Sequence, residues 1–440
     1  MKNDMLDLCA WTIEQARQAG ANQCKVTVSR SRSVDLNYRE RKPETVKEAT
    51  EQSLSLHVYA EGKYSAQGTA DLRKESLRQF VANAVATTRL LAEDPHRSLP
   101  DPKYYEGRAT LDLKINDPTY PQWSPDARHA LARAVEEACL TTGGDKVISV
   151  TAGVYDEFHE SAVMSSNGLE GVTSSTGYSA GATMTARDAG DRRPAGYYYV
   201  AARNRQSLPD AALVGRTAAT RTLAMLGAKK VRTETLPIII ENQSVARVLR
   251  GLVGALSGSA IQQKRSFLAD KKEQSIASPQ LTLVDDPLLI AGLASGLYDG
   301  DGFASRRRTV LEAGVLKEFY VDWYYSRKLG WEPTTGGSSN LLIPPGRRSV
   351  PEIMKDLGRG ILVNGFLGGN SNSTTGDFSV GISGQLFENG QPVQAVAEMN
   401  IADNHLSFWS KLVETANDPW TYSSWRMPSL VFRDVVVAGA

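Results

Sequence analysis

The sequence predicts an α+β protein: a helix–sheet–helix N-terminal part, a middle meander with helices, and a strand-rich C-terminal domain. Three observations point there. Helix-period apolar stripes enclose alternating runs at the start, a long alternating stretch broken by turns fills the middle, and short strand-like runs between Gly, Asn, Asp and Pro dominate the end. At 440 residues the chain exceeds one ordinary core. We divide it into an N-terminal α/β domain (1–105), a middle α+β domain (106–230) and a C-terminal strand-rich domain (231–440).

The first element reads as a helix, with Leu6, Leu8, Trp11 and Ile13 near helical spacing and "QAGAN" as its stop. "CKVTVSRSRSVDLNYRERK" and "SLSLHVYAEGKYSAQGTA" alternate as strands, the second pair turning at Glu61-Gly62. Asp71 is expected to cap a helix that turns Leu77, Phe80, Val81, Ala84, Val85 and Leu91 inward. Residues 92–123, rich in Pro and Asp, read as a surface connection. Ser124-Pro125 then opens a helix with Ala127, Leu131, Val135 and Ala138 inward.

A meander follows over about 146–203, and a helix over about 209–228 closes the middle segment. "ETLPIII" is a short apolar strand, and the helix after it carries Val245, Leu249, Leu252, Val253 and Leu256 on one face. A further helix is expected around "SVPEIMKDLG". Phe378, Val380, Ile382 and Leu386, a turn at Asn389-Gly390, and Val393, Ala395, Ala397, Met399 and Ile401 predict a hairpin with one buried face.

Lysine plus arginine (50) balances aspartate plus glutamate (49), which removes the bulk electrostatic argument for nucleic acid or an anionic membrane as partner. No apolar run approaches the roughly 18 residues of a membrane span. Cys9, Cys24 and Cys139 form neither CxxC nor a finger spacing, and "MKNDMLDLCAWTIEQARQAG" is too charged for a signal peptide. These features lead us to expect a soluble cytoplasmic protein.

Several stretches imitate catalytic motifs. "GGNSNSTTGD" is Gly-rich but lacks the Lys of a phosphate loop, and reads as a loop that either contacts substrate or only connects strands. Gly177-Tyr178-Ser179-Ala180-Gly181 matches GxSxG but is followed by strand-like sequence where a nucleophile elbow needs a helix. His57, His96, His129, His159 and His405 provide no ligand pair at helical or strand spacing, although "HESAV" begins like a zinc-protease motif. Arg306, Arg307 and Arg308, and again Arg347 and Arg348, are either a solvated turn or acceptors of a carboxylate. Trp420, Tyr422 and Trp425 are either core residues or a contact surface.

"DGFASRRRTVLEAGVLKEFYVDWYYSRKLG", "TTGDFSVGISGQLFENGQPVQAVAEMNIADN" and "ANDPWTYSSWRMPSLVFRDVVVAG" resemble the TldD/PmbA family, formerly called modulators of DNA gyrase and now regarded as metalloproteases. The resemblance implies two chain types that pair. The TldD type carries HExxxH on the helix after the apolar strand, with a later cysteine, and binds zinc; the TldE (PmbA) type does not. Here an ungapped match puts Leu249, Arg250 and Gly254 at the His, Glu and His positions, and no cysteine follows Cys139. Leucine cannot bind zinc, and arginine cannot accept a proton from water.

The resemblance therefore implies a metal-free TldE/PmbA-like subunit with no catalytic residue and no cofactor of its own. Zinc is expected in a TldD-like partner of a heterodimer acting on unfolded peptides. Arg306, Arg307, Asn370, Ser371, Gly376 and Asp377 are the expected substrate or partner contacts. The alternative is a non-enzymatic homodimeric binding or scaffold protein. A DNA-associated regulator is disfavoured by the charge balance.

Overall fold

The computed structural model describes residues 2–439. Helix α1 (Lys2–Gln18) precedes three strands, β1 (Gln23–Arg39), β2 (Lys42–Ala60) and β3 (Lys63–Thr69), and helix α2 (Lys74–Thr88). The inward face of α1 is Met5, Cys9, Ile13 and Ala16, so Leu6, Leu8 and Trp11 are flank residues rather than its centre. Glu61 and Gly62 both take positive φ (53° and 74°), the backbone of a tight hairpin turn.

Asp71 does not cap α2. Arg73 occupies the cap position without a side-chain bond, and Asp71 instead accepts from the Arg73 N–H at 3.1 Å in a turn just upstream. Leu77, Val81, Ala84 and Val85 are buried as expected, whereas Leu91 lies beyond the end of α2 and is exposed.

Helix α3 (Pro125–Gly143) begins at Ser124, whose hydroxyl accepts from the Ala127 N–H at 3.2 Å. Strands β4 (Val147–Ser165), β5 (Glu170–Ala186) and β6 (Ala195–Ala202) and helix α4 (Ala211–Leu223) follow. β1 pairs with β4 from Lys25↔Ser165 to Arg39↔Thr151, giving one antiparallel sheet in the order β3-β2-β1-β4-β5-β6. It crosses residue 105. On β1, Cys24, Val26 and Val28 bury against α1 and α2, while Leu36 and Tyr38 belong to the core under α3 and α4. One long strand thus carries two cores.

The inward face of α3 includes two charged residues that its apolar pattern does not reveal. Arg128, 3% exposed, makes a bidentate pair with Asp156 on β4 at 2.6 and 2.8 Å and also donates to the Trp123 carbonyl. Glu136 accepts the Arg41 N–H at the β1–β2 turn.

The C-terminal part opens with β7 (Glu234–Ile240), α5 (Asn242–Gly254), α6 (Gly258–Gln262), β8 (Leu283–Asp285), β9 (Arg308–Glu312) and β10 (Val315–Leu316). It continues through α7 (Trp323–Leu329), β11 (Leu341–Leu342), α8 (Val350–Leu357), β12 (Arg359–Ser371), β13 (Asp377–Glu388) and β14 (Gln391–Asn404). Helix α9 (His405–Ser410), β15 (Leu412–Thr415), β16 (Trp425–Arg426) and β17 (Leu430–Val437) complete it. A mixed sheet runs β14-β13-β12-β7-β17-β15, with β7 and β12 parallel, and a smaller one runs β10-β9-β8-β11-β16.

β7 is central and covered on both faces, which explains its consecutive isoleucines. Ile238 and Ile240 join the core under α5, and Ile239 packs with Ile353 and Met354 of α8. The β13–β14 hairpin turns at Asn389 (φ 50°) and Gly390 (φ 79°) as predicted. Its single buried face does not hold throughout. Register shifts after Ile382 and Leu386, with Glu398 at φ 57°, bury Val396 and leave Val393 53% exposed.

Candidate functional site

Helix α5, the end of β12, β13 and the start of α9 enclose a cavity of about 280 Å3. The elements fix its position firmly. Glu241, directly before α5, pairs with Arg221 of α4 at 2.7 Å, and Val245, Leu249, Leu252 and Val253 pin the opposite face of the helix in the core. This leaves Arg247, Arg250, Gly251 and Gly254 lining the cavity at helical spacing. Asn370, Ser371, Phe378, Val380 and His405 form the rest of the wall relevant here.

His405 is 2% exposed, and its Nε2 lies 2.9 Å from Ser371 Oγ. Its ring stacks on Phe267 at 5.6 Å between centroids and contacts Phe378 at 4.8 Å. Close approach to α5 requires glycine at 251, because a Cβ there would sit 2.4 Å from His405 Nε2. Position 254 differs: a Cβ would enter open space.

Ser371 and His405 resemble a nucleophile and its base, yet the electrostatics oppose that role. Burial pushes the imidazole down to about 4, only partly offset by Asp403, and His405 Nδ1 has no hydrogen-bond partner among the described residues. Among the described residues no carboxylate orients the ring, since Asp403 is engaged by Lys411 at 2.6 Å. A base this weak, without a group to stabilise its imidazolium, is poorly matched to abstract a hydroxyl proton near neutral pH.

The expected contact residues separate into three places. Asn370 and Ser371 line the cavity. Gly376 (φ 84°) and Asp377 do not, but build the turn behind it: the Gly376 carbonyl accepts the His405 N–H at 2.8 Å, and Asp377 accepts from Asn404 at 2.9 Å. Arg306 is exposed, Arg307 pairs with Asp286 at 3.5 Å, and Arg308 lines a different, 570 Å3 cavity while pairing with Glu318 at 3.4 Å. Arg348 is tied to Glu414. Trp420 packs edge-on against Tyr198 at 5.3 Å, joining the C-terminal loop to the middle core.

The lures resolve simply. Ser179 lies inside β5, paired with Tyr155 and Ala201, so GxSxG forms no elbow. His159 sits within β4 opposite Ser31 and Ser175. The three cysteines are buried and free, their thiols pushed up to about 11 (Cys9, Cys24) and about 12 (Cys139) by burial, which disfavours the thiolate that metal binding needs.

Three consecutive family models match: PmbA/TldA metallopeptidase domain 1 over 24–88, the central domain over 118–226 and the C-terminal domain over 233–439. This chain belongs to the PmbA/TldD family. It is 29% identical over 419 residues to metalloprotease PmbA of Escherichia coli, covering 94% of this chain and 92% of that one. A Bacteroides thetaiotaomicron structure described as a candidate modulator of DNA gyrase matches with TM-score 0.96 and 38% identity, covering 99% of this chain and 98% of that one. TldE from Thermococcus kodakarensis shares the fold at TM-score 0.87 and 21% identity, over 98% of this chain and 100% of that one.

The zinc expected for this metallopeptidase family does not fit the residues present. Among the described residues no three His, Cys, Asp or Glu side chains converge. Leu249 is fully buried in the core, and Arg250 places a fixed cation on the cavity wall. The spacing of His405 from Ser371, 34 positions, carries no local signal that sequence reasoning could use.

Proposed function

We propose that this chain is the metal-free, non-catalytic PmbA/TldE-type subunit of a two-chain zinc metalloprotease acting on unfolded or extended peptides, paired with a TldD-like chain. The observation that supports this reading is helix α5, where the ungapped match sets Leu249, Arg250 and Gly254 at the His, Glu and His positions of the family motif, and among the described residues no carboxylate or thiolate lines the cavity beside Arg250 and Gly254. Family membership supports peptide hydrolysis as the activity of the assembly. The lack of a ligand set among the described residues supports assigning the metal to the partner.

The test is zinc content and cleavage of an unfolded peptide by this chain, by a TldD-like chain, and by their mixture. The expected result is no zinc and no cleavage for this chain alone, with cleavage by the mixture that depends on it. Stoichiometric zinc or cleavage by the isolated chain overturns the reading. Equal cleavage with and without this chain transfers support to a scaffold role.

A further inference from the structure

We propose that the cavity between α5, β12 and α9 binds the carboxylate of an extended peptide, with Arg250 and Arg247 supplying charge and Ser371 and Asn370 supplying hydrogen bonds. The charge pattern carries the argument. Arg247 and Arg250 are the charged side chains lining the cavity, and neither has an acidic partner among the described residues. Arg247 donates only to the Gly368 carbonyl at 3.3 Å, and the Arg250 guanidinium lies 5.9 Å from the Trp425 ring. Arginines that hold the fold are matched instead: Arg128 by Asp156, Arg221 by Glu241, Arg348 by Glu414.

Two guanidinium groups one helical turn apart in a concave, polar-rimmed site suit an anion. The remaining wall narrows the choice. Val248, Phe378 and Val380 give it an apolar side, which a peptide residue can cover and inorganic phosphate cannot. A cavity of 280 Å3 admits a terminal residue rather than a folded partner. His405, 2% exposed, also lines the cavity, holds Ser371 Oγ through Nε2, and keeps Nδ1 without a partner among the described residues. Open space over Gly254 leaves the entrance beside Arg250 clear. That the ligand is a peptide rests on the proposed function above; that it is a carboxylate rests on the cavity alone.

The experiment titrates the purified full chain with an N-acetylated apolar peptide bearing a free C-terminal carboxylate, with its C-terminal amide, with an amide ending in glutamate, and with inorganic phosphate. Calorimetry and Trp fluorescence read binding. The free acid or the glutamate amide is expected to bind, the neutral amide about tenfold or more weakly. Which acid binds better identifies the source as chain terminus or side chain.

Arg250→Gln should reproduce the tenfold loss, and Ser371→Ala a loss of about threefold. Arg216→Gln, on the exposed face of α4, should change nothing. Equal binding of acid and amide, no binding of either acid, tighter binding of phosphate, or an undiminished affinity in folded Arg250→Gln overturns the proposal. Zinc analysis of the same samples separates this from failure of the subunit reading, which predicts no metal whatever the titration finds.

Discussion

Two arginine sites of this protein obey opposite rules. Arg128, between α3 and β4, is held bidentately by Asp156 and by the Trp123 carbonyl, with the pair closed off from water. Arg250, on α5, faces a cavity without a counter-ion among the described residues. The first commits all three of its guanidinium nitrogens to the fold, so removing it leaves a buried carboxylate. The second costs little to leave unpaired because water still reaches it. The contrast separates a charge that holds the fold from one available to a ligand.

The largest expected effect tests the closed site. Arg128→Ala should destabilise the folded chain by about 3–5 kcal/mol, because Asp156 is left charged and unpaired. Chemical denaturation gives the value, and a loss below about 1 kcal/mol would show that water replaces the guanidinium.

The next effect concerns His405, which the cavity holds neutral. A folded-state value of about 4 against an ordinary 6.5 means that the unfolded chain binds more protons between those values. Stability is therefore fully present above pH 6.5 and is lost as pH falls toward 4, by up to about 3 kcal/mol from this residue. His405→Asn should flatten that part of the pH–stability curve. His57, also held at about 4 by burial and by Lys25 and Arg97, leaves a residual slope. An unchanged curve would place the acid sensitivity elsewhere.

Gly251→Ala should cost about 1–3 kcal/mol, since the new Cβ must displace His405 or shift α5. It should also weaken binding of the carboxylate peptide by parting Ser371 from the imidazole. Wild-type stability and binding would mean that the ring swings aside freely. The smallest expected effect closes the comparison. Arg250→Gln should leave the unfolding free energy unchanged within about 0.5 kcal/mol, as an exposed charge without an ion pair among the described residues permits; a large loss would make Arg250 structural after all.

Local elements were legible where short-range rules act alone. The Asn389-Gly390 hairpin, the Ser124 cap, the Val350–Leu357 helix and the inward stripe of α5 all follow from turn chemistry or periodicity within a few residues. Misreadings occurred where a neighbour could substitute for the local rule. Asp71 found Arg73 in a turn before the helix, and Glu398 absorbed a bulge that shifted the buried phase of β14. Of the site, Arg250 and Gly254 are in view from the family resemblance and Asn370 and Ser371 from the Gly- and Ser-rich loop, and the structure brings them to one cavity. His405 was in view only as one scattered histidine.

The sequence alone was enough for the element types, the family, and the presence of Leu249, Arg250 and Gly254 where an ungapped match to the family motif sets its His, Glu and His. Each of these depends on which side chain occupies a position or on spacing along a few residues. The packed chain decided that β1 joins β4 across the linker, that Arg128 meets Asp156, and that His405 meets Ser371 beside two arginines without an ion pair among the described residues. Those contacts span many residues, and their energy comes from burial that excludes water, a property of the packed chain rather than of any segment within it.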